Sequence, residues 1–332
     1  MTPKTKSRFI PIPVQTLKID SMKSFDLFIR TKSGRMVLFN TREELFTLEV
    51  RDNLLANDIS VLFINDEDKE EYNKYVAENL ADFLNNPELS NSDKAEFAYL
   101  SISNIAQSLF EKPSEQSISS YKTAITATMN FILTEDDALI NLIQLTEFDY
   151  TTFNHSMNVG IFATGLSKAL FSGESDHNMT EIAAGFFLHD IGKCSIPLTI
   201  LQKPGRLTPE EWDIIKTHPF EGYDILKKFH HITPESKIIV LQHHERTHGN
   251  GYPRGLKGDM IHTYSKICSI ADVFEALVAQ RPYKKQKSFY DALYTMKTEM
   301  KDEFDPEFFR QFILLFSGTR YTANKNSSIP NQ

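Results

Sequence analysis

Five of the ten histidines in this chain, His155, His189, His218, His243 and His244, fall at the ends or on the apolar faces of segments with helical periodicity. Carboxylates are available beside them at Asp190 and Asp272. Neutral imidazole is the commonest protein metal ligand at ordinary pH, so the chemistry these residues offer is that of a metal site. Asp190 ends the apolar run EIAAGFFLHDIG, and burying a carboxylate there is costly unless it is paired or bound to a cation. An aspartate has two oxygens and can bridge two cations, so His189-Asp190 and His243-His244 read together as a dinuclear centre. The densest stretch is Gln242 to Pro253, QHHERTHGNGYP, which follows the apolar run Ile238, Ile239, Val240, Leu241 and then breaks into a loop with Gly249, Gly251 and Pro253. A helix end delivering ligands into a rigid loop suits a site open on one side. Taken alone, the His-His pair is equally a solvated helix end, because adjacent helical side chains do not share a face. A lone histidine such as His155 is more often a satisfied core residue than a ligand. Five in one helical region shift that balance.

The elements that must position these residues are mostly helical. Beyond Thr134 the pattern gives helices at Asp137 to Glu147, Thr151 to Phe171, the run after Thr180, and a segment opened by Thr208-Pro209-Glu210-Glu211, where a cap, a first-turn proline and a capping-box glutamate coincide. His218 is expected at the end of that helix, with Pro219 closing it. Thr233-Pro234 opens the helix that runs to His243-His244, Tyr264 to Ala279 holds Asp272, and helices near Phe289 to Met300 and Pro306 to Phe316 complete a bundle. Upstream, residues 9 to 65 alternate short apolar runs with turn chemistry. FDLFIR-TKSG-RMVLFN reads as a β-hairpin, and Thr41 to Asn57 as a helix capped at Thr41 with Glu44 three residues on. Helices at Asp66 to Leu84, Ser92 to Phe110 and Ser117 to Leu133 follow.

The expected class is therefore mainly α: an all-helical bundle preceded by a small α/β N-terminal module and a helical connector. The boundaries are residues 1–85 for the module, 86–135 for the connector, 136–317 for the metal domain and 318–332 for a flexible tail. The connector could join two copies of the chain, or merely pack on the next domain. Length, 332 residues, and an apolar fraction of 41% fit a globular protein of more than one domain. A net charge of -8 disfavours a sequence-blind nucleic-acid binder, which needs a broad basic face. Two cysteines make no disulfide framework, no run reaches a membrane span, and the expected location is the cytoplasm.

His189-Asp190-Ile191-Gly192-Lys193, with His155 upstream and Asp272 downstream, resembles the HD phosphohydrolase pattern. His218, His243-His244-Glu245, Gly251-Tyr252-Pro253 and Arg281-Pro282-Tyr283-Lys284 resemble its HD-GYP subgroup, the phosphodiesterases of cyclic di-GMP. The resemblance implies that His155, His189, Asp190 and Asp272 hold one metal and that His218, His243 and His244 hold a second, with Asp190 bridging. It implies phosphate contacts from Lys193, Arg281 and Lys284, and a substrate-side wall at Tyr252. For Arg281 and Lys284 the plain alternative is solvated charge. Among metals it favours iron or manganese. Two cations about 3.5 to 4 Å apart can hold a hydroxide, polarise a phosphate oxygen and stabilise a leaving oxygen, with Asp190 and Lys193 as the catalytic side chains.

The chain departs from the subgroup in two places. His248 stands where the loop usually has Asp, and is read as surface. Some members recruit a third metal through a glutamate one helical turn before the first histidine; that place is Thr151 here and Asp149 lies off the face, so two metals are expected. The expected products are linear dinucleotide with or without GMP. Two alternatives stand beside this reading: a metal-containing cyclic-dinucleotide receptor with little turnover, and a phosphodiesterase for hybrid cyclic GMP-AMP. Protein partners, if any, would engage the N-terminal module or the GYP loop.

Overall fold

A computed structural model describes residues 9–21, 23–146, 151–171, 173, 176–280 and 286–316. Arg281, Lys284, Asp149 and the tail from residue 318 lie outside that set. The chain divides into two compact units, and the division falls inside one helix.

The first unit begins with β1 (Phe9–Pro13), β2 (Leu27–Arg30), β3 (Met36–Asn40), α1 (Leu48–Ala56) and β4 (Val61–Asn65). The strands form an antiparallel sheet in the order β1-β4-β2-β3. The register sets Ile10 opposite Ile64 and Ile12 opposite Leu62. That alternation puts Ile12, Leu62 and Ile64 into a core with Phe25, Leu27, Phe46 and Tyr72. The hairpin expected at Thr31-Lys32-Ser33-Gly34 joins β2 to β3, with Gly34 at φ 81° supplying the left-handed residue.

The helix expected from Thr41 starts later, at Leu48. Half of the anticipated cap is made, since Glu44 Oε2 accepts from the Thr41 N–H at 2.7 Å, but this closes a turn. Phe46 is then drawn into the core and bridges Ser21, and Thr47 caps α1 through the Val50 N–H. Lys23 is buried beside that turn and donates to Asn40 Oδ1, to the Thr41 carbonyl at 2.7 Å and to the Glu44 carbonyl at 2.9 Å.

The rest of the unit is helical: α2 (Lys69–Leu84), α3 (Asn91–Glu111), α4 (Glu115–Thr134) and α5 (Ala138–Leu145). Ser90 and Ser114 cap α3 and α4, and α2, α3 and α4 pack on one another through faces such as Ala98, Ile102, Ile105 and Leu109.

The second unit takes the longer part of α6 (Thr152–Phe171), then α7 (Met179–Phe187), α8 (Leu198–Leu201), α9 (Pro209–Ile215), α10 (His218–Lys227), α11 (Pro234–Gln242), α12 (Thr263–Val278), α13 (Phe289–Glu299) and α14 (Pro306–Leu315). α6 is one unbroken helix, and His155 is carried on its first turn. Its hold on the unit is a phenyl cluster. Phe162 meets Phe274, Phe289, Phe312 and Phe316 with centroids 5.2 to 6.4 Å apart, tying α6 to α12, α13 and α14. Such pairs contribute about 0.5 to 1.5 kcal/mol each beyond area burial.

Pro219 opens α10 instead of closing α9. In the first turn of a helix its missing N–H leaves no bond unmade, so the proline favours a start there. The protein is thus mainly α, with one small sheet among the described residues. Among the described residues no helix is long and apolar enough to cross a membrane.

Candidate metal centre

Three segment ends converge in the second unit. α7 is apolar and buried along Ile182, Ala183, Ala184, Phe186 and Phe187, and His189 and Asp190 sit in the turn beyond its C-cap, Leu188. A tight 3-10 turn, Ile191–Ser195, follows and packs on α10, which begins at His218. A Cβ at Gly192 would overlap the His218 carbonyl, and one at Gly222 would strike Val240 of α11. Hydrogen at these two positions is therefore what lets the backbones carrying His189, His218 and His243 close on one another. His243 is the C-cap of α11 and His244 lies just past it. Leaving the helix removes the objection that adjacent residues face apart.

The imidazoles are oriented by carbonyls three residues back. His189 Nδ1 lies 2.9 Å from the Phe186 oxygen, His218 Nδ1 2.7 Å from that of Ile215, and His243 Nδ1 2.8 Å from that of Val240. A carbonyl can only accept, so each ring keeps its proton on Nδ1 and turns the Nε2 lone pair inward. His218 Nε2 and His243 Nε2 then face each other at 3.2 Å. Asp190 Oδ1 stands 3.1 Å from the first and 3.8 Å from the second, and Oδ2 is 3.4 Å from His189 Nε2. Lone pairs directed at lone pairs and at a carboxylate repel unless positive charge sits between them. This donor set fits a divalent cation.

Among the described residues two groups could hold a metal ion, their ligand atoms within 4.8 Å of one another: Asp190 with His218, His243 and His244, and His155 with His189 and Asp190. Asp190 belongs to both groups. Asp272, on α12, is buried with its carboxylate 3.4 Å from His244 Nδ1. Burial, with the neighbouring His189 and His218, holds His243 well below the ordinary imidazole range; burial and His243 do the same to His244. Both are therefore neutral, the form that binds metal. Cys268 is close enough to feel the charges of Asp272 and Asp190, but burial first and those charges second push its thiol well up, so it stays protonated.

The open side carries three partly exposed residues, Lys193, His244 and Tyr252. Lys193 donates to Asp190 Oδ2. Tyr252 lies over His244, ring centroids 4.5 Å apart at 30°, and meets His218 at 6.3 Å and 80°. Its hydroxyl is pushed up by burial and by Asp272, so it is a phenol and not a phenolate. His248 is exposed and pairs with Lys257 in an isolated bridge, away from any ligand role.

One positioning residue escaped the reading of sequence. Glu245 is buried, and its two oxygens accept from the Arg254 N–H at 2.8 Å and the Leu256 N–H at 2.9 Å, folding the loop back so that Tyr252 reaches His244. In sequence it is only a carboxylate beside two histidines, indistinguishable from a further ligand. Arg246, adjacent, bonds the His243 and Glu245 carbonyls and ion-pairs with Glu303 at 3.3 Å.

A family model described as HD domain matches residues 138–308. The chain is 36% identical over 209 residues to a cyclic di-GMP phosphodiesterase of Thermotoga maritima, covering 62% of this chain and 54% of the relative. It is 34% identical over 182 residues to another of Pseudomonas aeruginosa, covering 55% and 43%. It is 35% identical over 160 residues to a 3'3'-cGAMP-specific phosphodiesterase of Vibrio cholerae, covering 48% and 34%. The chain thus spans about half the length, or less, of these curated relatives. Among solved structures, Bd1817, a HDG"Y"P protein from Bdellovibrio bacteriovorus, matches with a TM-score of 0.65 and 22% identity, covering 94% of this chain and 100% of that one, a likeness of fold alone.

Proposed function

The chain belongs to the HD domain family and carries the residues of its HD-GYP subgroup, and from that premise we propose that it is a metal-dependent phosphodiesterase that opens cyclic di-GMP by hydrolysis. The observation that carries the reading is the pair of inward-facing Nε2 lone pairs, 3.2 Å apart and beside Asp190, in a buried cluster whose His243 is held well below the ordinary imidazole range by burial. His155, His189, Asp190 and Asp272 would hold one cation, His218, His243 and His244 a second, with Asp190 shared. Iron or manganese suits this mixture of imidazole and carboxylate. When bound, two such cations supply a nucleophilic oxygen at neutral pH and neutralise charge at the phosphate.

The chain's own residues do the remainder. Asp190 holds both halves of the site in register. Lys193, now on Asp190, is within reach to turn its ammonium to the charge that develops on the phosphate oxygens. Tyr252 walls the substrate side and fixes the His244 ring by stacking. Arg281 and Lys284 would contact the substrate phosphates. The sheet module and connector would modulate the site or position partners.

The test is anaerobic incubation of iron- or manganese-loaded protein with cyclic di-GMP, following nucleotides by chromatography. Many turnovers per chain to linear dinucleotide are expected. Dinucleotide retained stoichiometrically without hydrolysis would instead make the protein a receptor. Faster consumption of cyclic GMP-AMP would move it to the hybrid substrate, the specificity that the name of the Vibrio cholerae relative carries.

A further inference from the structure

Trp212 is the only tryptophan in the chain, and it lies on α9 with 46% of its surface exposed. Single exposed apolar side chains are common and by themselves mean nothing. This one is different because of what it touches. Its indole meets the Tyr252 ring at 6.4 Å and 75°, and Tyr252 in turn lies on His244 and beside His218. The three rings make a continuous aromatic path from the buried histidine cluster to solvent.

The helix that holds Trp212 is short but firmly set. Thr208 accepts from the Glu211 N–H while the Glu211 carboxylate takes the Thr208 N–H at 2.7 Å, and that carboxylate also pairs with Lys203 at 2.6 Å. Ile215 buries the inner side of α9, and the chain passes through one turn to His218. Trp212 is therefore placed in fixed relation to a candidate ligand.

We infer that Trp212 is a stacking platform for a purine base of the substrate, a specificity residue that selects cyclic purine dinucleotides over small phosphodiesters. The inference rests on the proposed phosphodiesterase reading and adds to it the feature that recognises the base. With the scissile phosphate at the histidine cluster, the attached nucleoside must leave over the open side, where Tyr252 and Trp212 stand. Every purine has a π-face, and base–aromatic stacking strengthens binding without reading the edge that separates guanine from adenine. Trp212 thus strengthens binding of either cyclic di-GMP or its adenine-containing hybrid, and the choice between them lies elsewhere.

Because the chain has one tryptophan, all indole emission reports this position. Metal-loaded full-length protein is mixed rapidly with cyclic di-GMP while emission is followed, and kcat, KM and metal content are measured for the wild type, Trp212→Phe and Trp212→Ala. The expected result is saturable quenching before turnover, a KM raised about tenfold or more in Trp212→Ala with kcat and metal content unchanged, and most of the loss restored by Phe. Hydrolysis by the wild type with unaltered emission, or a Trp212→Ala variant with wild-type KM, overturns the platform and leaves the phosphodiesterase intact. A fall in kcat with unchanged KM would mean that Trp212 only props Tyr252, and also overturns it. A wild type that hydrolyses no cyclic dinucleotide removes the phosphodiesterase reading, and the platform falls with it.

Discussion

Each unit of this protein buries a polar cluster, and the two clusters are built on opposite principles. In the N-terminal module Lys23 reaches three acceptors, Asn40 Oδ1 and the Thr41 and Glu44 carbonyls. Burial alone would push its ammonium down, and it does lower it, but the donors and acceptors match. In the helical unit, His218 and His243 turn acceptor toward acceptor at 3.2 Å, beside a carboxylate. The first cluster is complete as protein. In the second, Lys193 meets the Asp190 carboxylate but the His218 and His243 lone pairs are left facing each other, an arrangement that suits an added cation. Burial of polar groups therefore does not mark a functional site; the sign of what the groups point at one another does.

Substitutions should separate the two clusters. Asp190→Ala removes the group common to both candidate ligand sets, so turnover should fall on the order of a thousandfold or more and bound metal should drop, measured by kinetic assay and elemental analysis together. Retention of both metal and rate would sink the shared role of Asp190. Lys193→Ala takes away a cation and no ligand. It should slow hydrolysis about a hundredfold with metal content unchanged, and an unaltered rate would remove Lys193 from the mechanism.

Lys23→Met should behave in the contrary way. Stripping one buried and two part-buried acceptors of their donor should cost about 1 to 3 kcal/mol in the denaturant unfolding of the module, with metal and turnover untouched. If turnover collapsed, the module would be coupled to the site in a manner the contrast denies.

The last effect is one of pH. In metal-stripped protein His243 and His244 are held below the free value of 6.5, so between that pH and their lower folded values the unfolded chain binds more protons than the folded one. Stability should be full above about pH 6.5 and decline as pH falls, by at most about 1.4 kcal/mol per pH unit for each histidine. Metal loading should flatten that slope. Thermal unfolding across pH 4.5 to 8, with and without chelator (roughly the range in which imidazole titrates), would show it.

Many of the residues that the fold brings into the candidate site are legible in the sequence. The ligand candidates are histidines at helix ends, and helix ends are announced locally by caps, prolines and periodicity, as at Thr208-Pro209 and Thr233-Pro234. Sequence and fold part where a local signal admits two outcomes. Thr41 and Glu44 make a capping contact that closes a turn, because Phe46 gains more from the core than from continuing a helix. Pro219 is as compatible with a helix start as with a stop. What no local rule reveals is tertiary. The need for Gly192 arises from the His218 carbonyl across the packing, Glu245 is a clamp only because Arg254 and Leu256 fold back to it, and Trp212 matters only because Tyr252 stands beside it.

The central claim is that the buried histidines and Asp190 are a cation cage. Anomalous X-ray scattering from crystals of manganese- or iron-loaded protein tests it most directly. Two peaks about 3.5 to 4 Å apart are expected on either side of the Asp190 carboxylate, one toward His155 and His189 and the other toward His218, His243 and His244. No peak, or a single ion remote from Asp190, would contradict it.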